Sequence, residues 1–385
     1  MARINPLVEK MTSFIVMDVL ERAQELEKKG VDIIHLEVGE PDFDLSDMVR
    51  DECEVALQQK RTHYTHSLGD KDLREEISNF YKREYNVEVD PEQIIVTSGS
   101  SPAILMALMV LCEPGSEVIL SDPGYPCYKN FVLACNATPV CVDLSAEDGF
   151  QYSIDKIKKA ITPKTRAIFV NSPMNPTGTL VDDNVYQELA KLGIPLLSDE
   201  IYHGLVYEGR AKSALEFTDN VFVLNGFSKR YAMTGLRLGF MVAPKEYMRK
   251  LQVLQQNLFI CAPSVVQRAG IVAMRDSEKE VEERRTIYDE RRRYMLSRLH
   301  NMGFEIEVEP QGAFYIFCNA KKFTNDSYKF AFDVLENAHV GITPGVDFGK
   351  NGEGYVRFSY ANSLDNIKIG MDRLEVYLKG NKIRP

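Results

Sequence analysis

The sequence predicts an α/β protein with a mostly parallel, seven-stranded sheet in a large domain and a smaller α+β domain after it. Three observations lead there. Seven short apolar runs alternate with helix-like segments between residues 46 and 276. Most of these runs lack the polar alternation of a half-exposed strand, as expected of strands buried on both faces. The chain has 385 residues, 44% of them hydrophobic and 26% charged, which is enough apolar material for two packed cores.

Residues 1–45 hold one helix, expected over 11–29 and closed by Gly30, and a strand, IIHLEVG, running into Pro41 and Asp42. This segment is too short to fold alone and is expected to pack on the small domain. Residues 46–276 form the expected large domain. Its strands are QIIVTSG (93–99), EVILSDPG (117–124), TPVCVDL (138–144), RAIFVNSP (166–173), IPLLSDE (194–200), VFVLNGFSK (221–229) and LRLGFMVAP (236–244), with helices such as 70–85 and 102–112 as crossovers. Residues 277–385 form the expected small domain: a charged helix from Glu278 closed by Gly303, the runs FEIEVE and AFYIFCN, a helix over 327–338, GYVRFSY and a last helix.

Charge and composition exclude several functions. Lys plus Arg total 46 against 56 Asp plus Glu, a net charge of −10, so neither nucleic acid nor an anionic membrane is the expected partner. The longest apolar run, residues 103–112, is half of the roughly 20 residues a membrane span needs and reads as core packing. No signal peptide is read at the N-terminus. Seven cysteines with no C-x-x-C spacing argue against a disulfide framework or a zinc site, and a reducing cytoplasm is the expected compartment. His63 and His66 form an isolated H-x-x-H, read as structural and not as a metal site. The run Arg291–Arg293 lies among glutamates and is expected on a solvated helix laced with i,i+4 pairs.

In open parallel sheets, ligands bind beyond the carboxyl ends of the strands. Ser100 and Ser101 follow the first run, where a helix with Ser101 as N-cap and Pro102 as first residue would offer free N–H groups to an anion. NSPMNPTG places Asn175 after another run, and IPLLSDEIYHG delivers Asp199 and Tyr202. VFVLNGFSK ends in Ser228 and Lys229, and Arg237 follows eight residues later. A lysine at the end of an apolar strand is partly desolvated, which lowers its pKa and makes its amine a nucleophile and base. An anion cup, an aspartate and such a lysine on one sheet are what a protein contributes to pyridoxal phosphate (PLP) chemistry.

These blocks, with LEVGEPDF, HYTHSLGDKDLREEI, SDPGYPCY, TGLRLGF and GYVRFSYA, resemble the fold-type I PLP-dependent aminotransferases of class I/II over nearly the whole chain. The resemblance implies the aspartate-aminotransferase-like fold and a set of roles. Lys229 would hold the cofactor and shuttle a proton, Asp199 would pair with the pyridine nitrogen, and Asn175 and Tyr202 would bond the ring oxygen. Tyr125 would stack on the ring. Ser100, Ser101, Ser228 and Arg237 would hold the phosphate, joined by Tyr64 from the partner of a homodimer. Arg357 and the Gly39 N–H would bind the substrate α-carboxylate.

Two positions depart from many relatives: Gly226 stands where a phosphate-binding serine is common, and Ser101 where some aspartate-using relatives have lysine. The resemblance therefore implies amino transfer from a hydrophobic or aromatic amino acid, with residues 13–17 over the pocket through Phe14, Ile15 or Val16, to a 2-oxo acid such as 2-oxoglutarate. Aspartate aminotransfer and a PLP-dependent C–S lyase or decarboxylase remain alternatives. A ligand-sensing regulator on this fold would carry an added DNA-binding domain, for which the sequence is read as having no room.

Overall fold

The computed structural model describes residues 4–380. Twelve strands occur among them: β1 (Ile34–His35), β2 (Ile94–Thr97), β3 (Glu117–Asp122), β4 (Thr138–Asp143), β5 (Thr165–Asn171), β6 (Leu196–Asp199), β7 (Val221–Gly226), β8 (Gly239–Val242), β9 (Tyr315–Asn319), β10 (Val340–Gly341), β11 (Thr343–Pro344) and β12 (Tyr355–Ser359). All seven apolar runs are strands of one sheet, in the order β2-β8-β7-β6-β5-β3-β4. Only β8 runs antiparallel to its neighbours.

The runs are apolar throughout because both faces of the sheet are covered. Ile168, Val170, Val221, Val223 and Phe240 point into one core, whereas Ala167, Phe169, Phe222, Leu224 and Met241 point into another. Met106 and Leu108 of the helix Ser100–Leu111 fill the second core.

A separate core joins β9 and β12 to the helices Glu278–Met302, Ser327–Ala338 and Leu364–Leu378. The N-terminal segment is built onto it: β1 pairs parallel with β10, and Val19, Ala23 and Leu26 pack against Leu335.

The structure corrects three expectations. The first long helix spans Ile15–Glu27, not 11–29, because Thr12 instead exchanges hydrogen bonds with the Asn130 side chain. FEIEVE is no strand and makes one isolated bridge, Glu305 with Asn319. Its three carboxylates face water and Pro310 follows, so no ladder extends. Arg291 and Arg292 are buried, not solvated. Arg291 pairs with Asp42 at 2.8 Å over the Phe43 ring, and Arg292 pairs with Glu208 and Asp289 over Tyr207.

No helix among the described residues is long and apolar enough to cross a membrane. All seven cysteines are free.

Candidate active site

Because β5, β6 and β7 run parallel and in register, Asn171 lies beside Asp199, and Asp199 beside Leu224. The strand ends thus open together into a cavity of about 730 Å³. Gly39, Ser100, Ser101, Tyr125, Asn175, Asp199, Tyr202, Ser228, Lys229, Arg237 and Arg357 all line it. Tyr64 does not, and it is 80% exposed.

Lys229 Nζ donates to the Gly39 carbonyl at 2.6 Å. Burial lowers its pKa to about 8, with Glu40 opposing the shift and Arg357 adding to it. Asp199 accepts from the Tyr128 hydroxyl at 2.6 Å and from the Ile201 N–H at 3.1 Å. Burial pushes its pKa up against those two bonds. It has no ion-pair partner among the described residues.

At the other end of the cavity the expected helix start is corrected. Gly99, not Ser101, holds the N-cap position, and the helix begins at Ser100. Gly99 takes a φ of +87°, and a Cβ there would lie 2.3 Å from Arg237 Nη2. That close approach sets the guanidinium beside the helix N-terminus, with Ser100, Ser101 and Ser228 around it. At Gly226, a Cβ would meet the Leu238 carbonyl oxygen at 3.0 Å and the Gly239 Cα at 3.1 Å, so the pairing of β7 with β8 leaves a serine little room.

Arg357 is 2% exposed. It donates to Asn175 Oδ1 at 2.8 Å, to the Glu37 carbonyl at 2.6 Å and to Thr343 Oγ1 at 3.1 Å, and its guanidinium lies 4.1 Å from the Tyr315 ring centroid. No carboxylate pairs with it among the described residues, and Nε has no partner. A buried cation without an anion is costly, so this site is built to receive one.

Several expected contacts are drawn differently. Asn175 bonds Arg357, and the Tyr202 hydroxyl meets that of Tyr315 at 2.8 Å. Gly39 presents its carbonyl to Lys229, and a side chain there would collide with the Tyr315 hydroxyl at 2.1 Å. Of the segment 13–17, Phe14, Val16 and Met17 line the cavity, and Ile15 faces a neighbouring one.

Sequence reasoning missed Tyr128, Asn171 and Tyr315. Tyr128 stands three residues after Tyr125, a helical spacing that could have pointed to it, whereas Tyr315 in AFYIFCN has no such mark. His63 and His66 join no cluster, and no group of three or more metal-binding side chains occurs among the described residues.

Residues 31–374 match the family model for aminotransferase class I and II. The chain belongs to the class I and II aminotransferase family. A (5-formylfuran-3-yl)methyl phosphate transaminase of Methanocaldococcus jannaschii is 43% identical, over 95% of this chain and 97% of that one. An aspartate aminotransferase of Pyrococcus horikoshii is 38% identical over 95% of each. A solved Methanococcus jannaschii structure, described as similar in its active site to kynurenine aminotransferases, is 41% identical with a TM-score of 0.90, covering 98% of this chain and 100% of that one.

The protein is a PLP-dependent aminotransferase with the aspartate-aminotransferase-like fold. The cavity of this aminotransferase suits the cofactor: Asp199 lacks a cation that a protonated pyridine nitrogen supplies, Lys229 has a desolvated amine, and Arg237 with three serines forms an anion cup.

Proposed function

We propose that this aminotransferase takes its amino group from a hydrophobic or aromatic L-amino acid and passes it to a 2-oxo acid such as 2-oxoglutarate, in two half-reactions at one site. The observation that carries this reading is the composition of the cavity. Lys229, Arg237 and Arg357 are the cations among its described lining residues, and each has a task in the cofactor or α-carboxylate region. The rest of the wall includes Phe14, Val16, Met17, Leu20 and Ile104. An aspartate donor would place its distal carboxylate there without an ion partner, at a cost of several kcal/mol, whereas the distal carboxylate of 2-oxoglutarate would have to be met by the partner's Tyr64 or by an arginine that reorients. A relative named for (5-formylfuran-3-yl)methyl phosphate, and a solved structure likened in its active site to kynurenine aminotransferases, support a pocket that accepts flat rings.

Arg357 receives the α-carboxylate through its fork, held in plane by Asn175, the Glu37 carbonyl and Thr343. Bound PLP supplies an electron sink conjugated to the substrate nitrogen. Asp199 keeps a positive charge on the pyridine nitrogen, with Tyr128 and the Ile201 N–H fixing the carboxylate. Lys229 would hold the cofactor and, once released as a neutral amine, would move the proton at the substrate Cα. Tyr125 covers the ring face, Asn175 and Tyr202 serve the ring oxygen, and Ser100, Ser101, Ser228 and Arg237 hold the phosphate. The Gly39 N–H adds to the carboxylate site.

We further propose a homodimer in a reducing cytoplasm, in which Tyr64 reaches the partner's cofactor phosphate. Its exposure and its absence from the lining of its own cavity support that role.

The test is kcat/KM for phenylalanine, leucine, methionine and aspartate with 2-oxoglutarate. A strong preference for aspartate overturns the substrate reading, and continuous release of ammonia with no acceptor present overturns amino transfer in favour of a lyase. A monomeric mass for the fully active protein overturns the dimer.

A further inference from the structure

The helix Ile15–Glu27 has Phe14 at its N-cap, a side chain with no hydrogen-bond acceptor. The position is given to the cavity instead: Phe14 lines it and stands edge-on to Tyr125, with centroids 5.8 Å apart and planes at 88°. The first N–H groups of the helix are met from far along the chain. Asp347 Oδ1 accepts from the Ile15 N–H at 3.0 Å, and Oδ2 accepts from the Val16 N–H at 3.2 Å. Asp347 is 8% exposed and lies in the turn Gly345–Phe348. This turn follows β11, whose Thr343 is paired with Arg357 in β12 and donates to the Glu37 carbonyl that Arg357 also uses. The Arg357 guanidinium lies 5.0 Å from the ring of Phe348, the residue next to Asp347. One short strand-and-turn unit therefore carries both the α-carboxylate clamp and the cap of the helix that walls the side-chain pocket.

We propose that Asp347 is a positioning residue for substrate selection: by capping the Ile15–Glu27 helix from the Arg357 platform, it holds Phe14, Val16 and Met17 at a fixed distance from the bound α-carboxylate. This inference rests on the reading that those residues face the substrate side chain. Asp347 itself lines the neighbouring cavity and not the one that Lys229 and Arg357 line.

Burial pushes the Asp347 pKa up to about 6, against its two backbone bonds and Arg357 on β12, and Asp18 on the capped helix pushes the same way. Cys127, on the helix Cys127–Ala134, is also within electrostatic reach, and Asp122, Lys129 and Lys350 line the same cavity as Asp347. The two N–H bonds favour the charged carboxylate, and burial opposes it.

The test uses the holoenzyme and its Asp347→Ala and Asp347→Asn variants. For each, kcat/KM is measured for the best bulky donor of the wild type and for alanine. Taking a ratio cancels effects common to both donors.

Asp347→Ala is expected to lower the ratio about fivefold through the KM of the bulky donor, leaving kcat for alanine and the visible cofactor spectrum unchanged. Asp347→Asn, with one acceptor left, is expected to fall between the two. Hydrogen exchange at the Ile15 and Val16 amides is expected to speed up in both variants, a readout independent of turnover.

An unchanged ratio in Asp347→Ala overturns the proposal, as does a parallel loss for both donors or unchanged exchange at those two amides. Should aspartate prove the best donor, the hydrophobic-substrate reading fails, and the aspartate-to-alanine ratio still tests Asp347.

Discussion

The Tyr128 hydroxyl donates to Asp199 Oδ2 at 2.6 Å, joining the helix Cys127–Ala134 to the end of β6. This bond favours the charged carboxylate, which burial alone would discourage. Tyr128→Phe is expected to lower kcat about tenfold with little change in KM for the amino donor, since a hydrogen bond to a charged group contributes about 1.5–3 kcal/mol. Steady-state kinetics check this, and a kcat within about twofold of wild type contradicts the link between Tyr128 and catalysis.

Arg357→Lys is expected to raise KM for every amino donor about 100-fold. A lysine ammonium cannot match the guanidinium fork, and it would lose the paired bonds to Asn175 Oδ1 and the Glu37 carbonyl. The same KM shift for donors with short and long side chains is the diagnostic result. A shift confined to one donor class would place the α-carboxylate elsewhere.

If Lys229 holds the cofactor as proposed, it reacts as a neutral amine, and capture of PLP by the cofactor-free enzyme should speed up as pH rises through about 8, the value to which burial lowers this lysine. Stopped-flow absorbance between pH 6.5 and 9.5 measures it. A rate that climbs only near the ordinary lysine range of about 10.4 would mean that the amine is solvated. Lys229→Ala should show no lysine-linked absorbance at all.

Glu200, adjacent to Asp199, is fully buried away from the cavity. Burial raises its pKa to about 8, although the Ala214 N–H, Ser213 and Ser198 donate to it. A carboxyl raised in the folded state contributes stability that is fully present below its unfolded pKa of about 4.5 and lost as pH rises through about 8. Glu200→Gln is therefore expected to melt at a higher temperature than wild type at pH 9 but not at pH 5, with near-normal activity. Thermal melts at the two pH values decide it, and equal differences at both would contradict the buried charge.

The seven strands and the residues at their ends were legible in the sequence because both signals are local. An apolar run buried on two faces needs no partner to be recognised, and parallel strands bring their carboxyl ends together whatever the crossovers are. Lys229, Asp199 and Asn175 follow from that rule, whereas Arg237 precedes the antiparallel β8. Tertiary structure decided what holds them. Tyr128 reaches Asp199 across 71 residues, Tyr315 reaches Tyr202 across 113, and Asp347 caps Ile15 across 332. Burial of Arg291 and Arg292 was decided the same way, by Asp42 and Glu208 on other elements. Hydrophobic periodicity is set by each segment's own burial, whereas a hydrogen bond or ion pair exists only where folding brings two distant groups within about 3 Å, and no local pattern records that meeting.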